Sequence, residues 1–525
     1  MRASRVHAFR SRARDYAKLV PRLVGHGLAL WVTIHVFRVF NDAFFHNPIH
    51  YDEGFFVWGG WSITKGLAPY KDFLEFKPPF VFLTHALALK IFGFEHLGYR
   101  RFFAVFPLAS ILCLQISLLL RGVDRVLATT LMVCLIALFV NPYYHDEALT
   151  DSESIGFSYF LFGFAFLLAE TKYRDVSDVI GAAFMTCCVF SKEPFAPTVL
   201  LTWASVFILR DGFRDFRRRS KRYIAFTGLG VALVVLGLCI YMVPTGSMKA
   251  YLQMVSRYTR IYRDPKLSYC VVLGQFHPST PMNELESQWD LIRLHFLNLS
   301  KVGYMGPIFA AAVVYVAKRS VPLLAATSAG VVAGLWAVTA SNCQWNHYYT
   351  MTMAGVFAFL AIGLDTMKGS FWASDSWMRA FIRLAVVSAA AITVYPRYEI
   401  EAAATHETPP PREPLPGILA FIAANSAPTD RIFTTGPPLL YVLANRIGAI
   451  REGNVIDEIL GVYDGDTDEA KLKPVRDELV KNMPKIVVLD PENEHRKGRH
   501  MNALINPFLK DFNYRPAAEH VYVRP

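Results

Sequence analysis

Charge is scarce in this chain. Asp, Glu, Lys and Arg make up 18% of its 525 residues, against 53% hydrophobic and 14% aromatic. A soluble protein of this length carries more charge, which excludes an ordinary soluble enzyme. Cysteine is also scarce: the seven are scattered and show no Cys/His spacing of the metal-site kind. Cys113, Cys134, Cys187, Cys188 and Cys239 fall in apolar segments and read as packing residues. Cys270 and Cys343 fall in loops; a disulfide between them stays open, because spacing does not show proximity. No glycine-rich nucleotide fingerprint is present. Nor does the start look like a cleaved signal. MRASRVHAFRSRARDYAK is too long and too basic before the first apolar run, so 23–40 reads as a retained anchor.

The chain does have long apolar runs. Several extend for about 16–21 residues, close to the roughly 20 that a spanning helix needs. They lie near 23–40, 79–93, 102–120, 125–141, 154–169, 176–190, 195–209, 223–243, 302–317, 321–340, 350–366 and 380–396. The net charge of +11 is not a nucleic-acid signal. The excess sits in the basic N-terminus, 1–22, and in RDGFRDFRRRSKR (210–222). Such clusters hold loops on the cytoplasmic side near anionic lipid. Membrane lipids are therefore expected partners, and nucleic acid is not.

Sidedness follows by parity. With 1–22 and 210–222 inside, loops 41–78, 141–153 and 244–300 fall outside, but only if one of three segments between the first two does not span. The candidate is 79–93, which is short, contains Lys90 and starts at Pro78-Pro79. This leaves about 11 crossings in a membrane module over 23–396. The remainder, 397–525, opens with the proline-rich HETPPPREPLP (406–416) and is expected to be a soluble extracytoplasmic α/β domain. In it RIFTTG (431–436) and KIVVLD (485–490) read as buried strands, 469–483 as a helix, and HVYVRP (520–525) as an alternating strand. The fold class is thus mostly α: a polytopic helical bundle with an α/β appendage.

The polar residues of the outer loops carry the chemistry. Asp52-Glu53 follows the first apolar run, and Lys77 precedes the second. Asp151 and Glu153 precede a later helix, and Lys192-Glu193 lies in a tight turn. SRYTRIYR (256–263) spaces Arg257, Arg260 and Arg263 on one helical face, and His347 opens HYY before another helix. Charges at membrane depth are costly and usually face a cavity and one another. Carboxylates beside several cations suit a site that handles a proton and a phosphate. A carboxylate can take the proton of an attacking hydroxyl. Lys and Arg can hold a leaving phosphate. Glycosyl transfer from a polyprenyl-phosphate sugar fits, and needs no soluble nucleotide. Asp52, Glu53 and Asp151 are the catalytic candidates. Lys77, Glu153, Lys192, Arg257, Arg260 and His347 are the substrate-binding ones.

Each residue also has a plainer reading. Asp52-Glu53 could be a helix N-terminal acid pair, and Lys77 an interfacial anchor. Asp151 could cap the helix at 154. Lys192 could pair only with Glu193. The arginine face could meet lipid headgroups, and His347 and FFVWGGW could be interfacial packing.

YDEG, its spacing to GLAPYKDF, and FKPP resemble the first outer loop of the GT-C membrane glycosyltransferases, most nearly the bacterial protein-mannosyltransferase-like and aminoarabinose-transferase-like group. The resemblance continues through 151–153, the Lys192 turn, HYY and the final domain. It implies that Asp52 is the catalytic acid or base and that Lys77 binds the lipid phosphate. Two departures stand out. The family's aminoarabinose transferases carry an acid directly before that lysine and an arginine two positions after the acid pair; this chain has Phe76 and Phe55. Both weigh against aminoarabinose as the sugar, and against a metal at Phe76. The WWD signature of oligosaccharyltransferases is absent.

The expected function is transfer of a single sugar, with inversion, from a polyprenyl-phosphate carrier to a cell-envelope glycan, lipid or protein. The expected place is the extracytoplasmic face of a cell (inner) membrane. No cofactor is required, although Asp52, Glu53, Asp151 and Glu153 could hold a divalent ion such as Mg or Mn. The alternatives are a transporter or flippase of a lipid-linked sugar, which would favour repeated halves that are not seen here, and a ligase using a pyrophosphate-linked glycan.

Overall fold

The computed structural model describes residues 49, 51–139, 149–211, 216–263, 305–339, 348–375, 378–380, 383, 416–451, 469–489 and 498–525. The anchor 23–40, most of 380–396 and of the proline-rich segment, Cys270, Cys343 and His347 lie outside them.

The first described helix, α1 (Tyr51–Thr64), begins with Asp52 and Glu53 in its first turn, where the helix dipole favours negative charge. It is no interfacial loop. Phe55, Phe56, Val57, Trp58 and Trp61 are all buried in the protein core, which corrects the reading of FFVWGGW as interfacial packing. The glycine pair in that stretch has a steric cause. A Cβ on Gly59 would lie 2.3 Å from the Phe82 ring, and one on Gly60 would lie 2.7 Å from the Ala86 amide. Only glycine lets α1 cross the next helix, α2 (Pro79–Phe92), this closely.

Helix α2 starts at a proline in its first turn, where the missing amide is not needed. Its 14 residues rise about 21 Å, short of the ~30 Å hydrocarbon core. Helix Arg125–Phe139, another of the three segments between the first two outer loops, is nearly as short at 15 residues. Next come α3 (Arg100–Leu120), α4 (Arg125–Phe139), α5 (Ser152–Leu168), α6 (Arg174–Val189), α7 (Ala196–Asp211), α8 (Phe216–Thr245) and α9 (Ser247–Arg263). After the undescribed 264–304 follow α10 (Met305–Ala317), α11 (Val321–Thr339) and α12 (Tyr349–Ala373). Four described spans, 100–120, 220–245, 321–338 and 349–371, are long and apolar enough to cross a membrane, and four shorter apolar helices accompany them. Helix α9 occupies the first part of what reads in the sequence as a long loop, 244–300.

Helices α5 and α12 form the inside of the bundle, with α5 buried along nearly its whole length. Helix α8 is the opposite case: Ile224, Leu229, Leu233, Leu236, Ile240 and Val243 are exposed along it. Such an apolar surface is at ease in lipid. Helix α3 is pinned at both ends by arginine. Arg100 binds Glu53, and Arg121, just past its last turn, grips Asp365 of α12 with two hydrogen bonds of 2.8 Å. Cys113, Cys134, Cys187, Cys188 and Cys239 are free thiols, as expected of packing residues.

The C-terminal unit contains α13 (Pro416–Asn425), β1 (Ile432–Thr434), α14 (Leu439–Leu443), α15 (Glu469–Asn482), β2 (Ile486–Val488), α16 (Gly498–Asp511), β3 (Arg515–Ala518) and β4 (Val521–Val523). The strands form one sheet in the order β1-β2-β4-β3; β1 and β2 are parallel, and the other two pairs are antiparallel. Alternation sorts its faces. Ile432, Ile486, Val488 and Val521 join the core of the bundle. Phe433 and Val487 face the other way, onto Val475 and Leu479 of α15 and Ile505 and Phe508 of α16. The expected strands and helix are in place, and β3 is an exposed edge strand that no apolar alternation announces. Helix α14 packs directly on α1: the Trp58 and Tyr441 rings lie 6.1 Å apart, and the Leu74 amide donates to the Arg451 carbonyl at 2.7 Å. The C-terminal unit thus buttresses the helix that begins with Asp52.

Candidate functional site

Asp52 and Glu53 are neighbours in sequence and differ in every other respect. Glu53 is fully buried. Its Oε1 accepts from the Tyr99 hydroxyl at 2.6 Å and from Arg100 Nε at 2.7 Å, and its Oε2 accepts from Arg100 Nη2 at 2.6 Å. This bidentate, charge-assisted pair fixes the first turn of α1 against the first turn of α3. Asp52 is only half-buried, and no hydrogen bond or ion pair to it is found among the described residues. One acid is immobilised, and the other is available.

The loop 65–78 is shaped from within. The Ala68 amide donates to Asp72 Oδ2 at 2.8 Å, and the Tyr70 hydroxyl donates to the Lys77 carbonyl at 2.7 Å. Tyr70 takes a positive φ of 64°, a rare conformation for a bulky side chain, and one that its buried ring and hydrogen bond hold in place. The Lys77 ammonium lies 5.9 Å from the Phe56 ring centroid and 5.6 Å from that of Phe76. Phe56 is one helical turn beyond Asp52, so Lys77 stands over the face that Asp52 begins.

The turn after α6 meets the same place. The Phe80 amide, at the start of α2, donates to the Phe190 carbonyl, at the end of α6, at 3.1 Å. This joins the segments that carry Lys77 and Lys192. Lys192 is buried and lies 2.5 Å from Glu153 Oε1. The approach is close but poorly aligned, so it acts as an ion pair rather than a directed hydrogen bond. The other Glu153 oxygen accepts from the Ser152 hydroxyl at 2.6 Å. The Lys192 ammonium also sits 4.4 Å from the Tyr348 ring centroid. A pairing of Lys192 with Glu193 alone is therefore corrected: the cation binds Glu153 of α5 and Tyr348 beside α12.

Glu193 takes another place. Its side chain is open to solvent, yet protein crowds it enough for burial to raise its pKa above the ordinary value. Its own backbone amide, then the Lys192 and Lys77 charges, act in the opposite direction. Tyr251 packs on Tyr70 with ring centroids 4.9 Å apart. Burial, then the Glu193 charge, raises the Tyr251 hydroxyl well above its ordinary pKa.

Asp151 caps α5, its Oδ1 accepting from the Ser154 amide at 2.6 Å. The capping reading holds for it, and the same bond places Glu153 beside Lys192. Arg257 and Arg260 lie on the helical α9, as their spacing predicts, with side chains outside the described set. Beside Tyr251, α9 and the end of α8 form a groove of about 900 Å³ lined by Val243, Gly246, Met248, Lys249, Leu252 and Ser256. Among the described residues no group of three His, Cys, Asp or Glu side chains stands together as a metal site.

Sequence reasoning missed Tyr99, Arg100, Tyr70 and Tyr251. Arg100 was legible in part, since a charge at the edge of an apolar run implies a partner. The tyrosines carried no signal, because only packing brings them to the acids.

No family model matches the chain, and no curated protein does. Solved structures do match. ArnT from Cupriavidus metallidurans in the apo state is 14% identical with a TM-score of 0.55, over 96% of this chain and 98% of that one. The same enzyme bound to undecaprenyl phosphate is 13% identical with a TM-score of 0.55, over 95% and 98%. The apo oligosaccharyltransferase of Archaeoglobus fulgidus is 14% identical with a TM-score of 0.52, over 89% of this chain and 70% of that one; it has also been solved with zinc and sulfate. The chain shares the fold of these solved proteins, which agrees with the resemblance of its first loop.

Proposed function

We propose that this chain is an integral-membrane glycosyltransferase that moves a single sugar from a polyprenyl-phosphate carrier to an acceptor hydroxyl, with inversion. The observation that carries the reading is the Lys77 ammonium over the ring of Phe56, one helical turn beyond Asp52, with the Lys192 turn joined to the same segment through the Phe80–Phe190 hydrogen bond. The undecaprenyl phosphate held by an enzyme of the same fold supports it.

In this mechanism Asp52 accepts the proton of the attacking hydroxyl. The acceptor oxygen bonds to the anomeric carbon as the bond to the phosphate oxygen breaks, leaving its electron pair on the phosphate. Lys77 and Lys192 hold that phosphate, and fixed cations in an enclosed site stabilise the growing charge. Arg257 and Arg260 are placed on α9 to assist. The groove along α8 and α9 offers apolar surface to the lipid chain. Glu53 and Asp151 act by position: one locks α1 to α3, the other caps α5. Glu153 holds Lys192 in place.

The active site faces the extracytoplasmic side of a cell (inner) membrane, with 1–22 inside and 397–525 outside. The acceptor is a cell-envelope glycan, lipid or protein. The test is turnover of a panel of polyprenyl-phosphate sugars by purified protein in lipid, with and without EDTA, for wild type and Asp52→Asn. Release of free polyprenyl phosphate by wild type, lost in Asp52→Asn, supports the transferase; the EDTA arm decides the metal question. Carrier movement across the bilayer without release, unchanged in Asp52→Asn, overturns it in favour of a flippase.

A further inference from the structure

The groove beside α9 carries two lysines that the proposed mechanism does not use. Gly246, between α8 and α9, takes a positive φ of 77°, a conformation that suits glycine. A Cβ there would lie 3.6 Å from Cδ of Lys71 and 4.0 Å from its Cε. The Lys71 stem therefore runs past the corner where the groove begins. Lys249, on the first turn of α9, lines the groove itself. Both lysines are exposed, and among the described residues neither has an ion-pair partner. Asp72, the acid next to Lys71, accepts from the Ala68 amide instead.

The groove is separate from the reaction site. Lys249, Leu252 and Ser256 line it from one face of α9. Tyr251 and Met254, on the other face, are buried in the bundle. Tyr251 packs on Tyr70, whose hydroxyl donates to the Lys77 carbonyl. Helix α9 is thus a wall, with the Lys77 segment behind it and the groove in front. Lys71 and Lys77 belong to one loop, but it is Lys71 that reaches the front.

The groove continues the lipid-facing surface. Leu233, Leu236, Ile240 and Val243 are exposed along α8, and Val243 also lines the groove. Apolar surface therefore leads from the bilayer side of α8 to two ammonium groups on different segments. The volume of about 900 Å³ is of the size that ligand sites have. A single lysine there would be an interfacial anchor. Two that meet at one cavity, without a carboxylate between them, match an apolar chain with an anionic head.

We infer that Lys71 and Lys249 form an entry subsite that takes the phosphate of the polyprenyl carrier from the bilayer before it reaches Lys77. The inference rests on the transferase reading. No bond forms or breaks at this subsite. It raises the local concentration of the donor, and the same contacts receive the released polyprenyl phosphate.

Two arms test it, both in nanodiscs of neutral phosphatidylcholine. The first is binding of polyprenyl phosphate, without a sugar, to Lys77→Gln protein, which weakens the reaction site. Binding is expected to persist at low salt and to fall about tenfold when Lys71→Gln and Lys249→Gln are added. Phosphatidylglycerol at equal mole fraction is not expected to displace the carrier. Its phosphodiester has one negative charge, against about −1.5 to −2 on a phosphate monoester at pH 7. The second arm is steady-state kinetics with a competent sugar donor. Lys71→Gln with Lys249→Gln should lower kcat/KM about fivefold to tenfold, flatten its fall with salt and keep kcat, because charges on a rim act on association. Arginine at both positions should retain the wild-type values. Wild-type kcat/KM in the double Gln variant overturns the inference and leaves the transferase standing. So does a loss of kcat and melting temperature that is the same at every salt concentration, or displacement by phosphatidylglycerol, which makes the groove a general phospholipid site. A wild-type protein that binds no polyprenyl phosphate and turns over no donor overturns both.

Discussion

Arg100 holds both oxygens of Glu53, with Nε at 2.7 Å and Nη2 at 2.6 Å, across 47 residues of chain and in full burial. The pair joins the start of α1 to the start of α3, and so sets where the neighbouring Asp52 stands. An adjacent acid pair that looks redundant in the sequence is divided between a fastening and a group that has no partner among the described residues.

The division predicts opposite phenotypes at the two positions. Asp52→Asn is expected to lower turnover by at least about 10²-fold, the scale of general base catalysis. Its stability should change by less than about 0.5 kcal/mol, because no described partner is lost. Thermal unfolding in nanodiscs alongside the donor assay checks both. A large drop in melting temperature would make Asp52 a structural residue.

Glu53→Gln and Arg100→Met are expected to destabilise by about 3–5 kcal/mol each, because either one strands a buried charge or polar partner. The double variant should lie closer to wild type than either single variant. Arg100→Lys should not rescue, since an ammonium cannot reproduce the planar fork. Unfolding curves of the four proteins decide the matter; additive single effects would contradict the pairing.

Lys192 is held by Glu153 and Tyr348 together. Lys192→Met should raise the donor KM more than it lowers stability. A double-mutant cycle with Glu153→Gln should show a coupling above about 1 kcal/mol. Tyr348→Leu should cost about 1–2 kcal/mol through the lost cation–π contact. A donor KM unchanged in Lys192→Met would remove this lysine from the phosphate site.

Glu193 predicts a pH dependence of stability. Burial raises its carboxyl pKa in the folded protein. The folded state therefore holds this proton more tightly than the unfolded chain does. The resulting stabilisation is complete below the unfolded pKa and is lost as pH rises through the folded one. Melting temperatures of wild type and Glu193→Gln should diverge with rising pH in favour of the variant. A constant difference between them would show that the carboxyl is not raised.

The contact between α14 and α1 gives a steric test. A Cβ on Gly54 would meet the Leu439 Cβ at 3.4 Å, an ordinary contact, so Gly54→Ala should be tolerated. Gly54→Leu should force the C-terminal unit off α1, seen as faster proteolysis of residues 416–525 and reduced turnover. Intact turnover with the unit displaced would show that Asp52 needs no such support.

The sequence by itself determined the elements. Its apolar runs became α3, α5 and α11 within about two residues of their expected limits, while α8 starts and α12 ends about seven residues beyond them, and RIFTTG, KIVVLD and HVYVRP became strands, because hydrophobic periodicity and helix-start chemistry are local. It also singled out the acids and lysines of the proposed site, since charges beside apolar segments must find partners. Only the tertiary structure decided which partners. Lys192 binds Glu153 and not its neighbour Glu193. Arg100 turns out of an apolar run to hold Glu53. Tyr251 packs on Tyr70 from a helix inside what reads as a loop. These choices rest on which helix ends pack together. That outcome follows from burial summed over the whole bundle and leaves no trace in the spacing of any single segment.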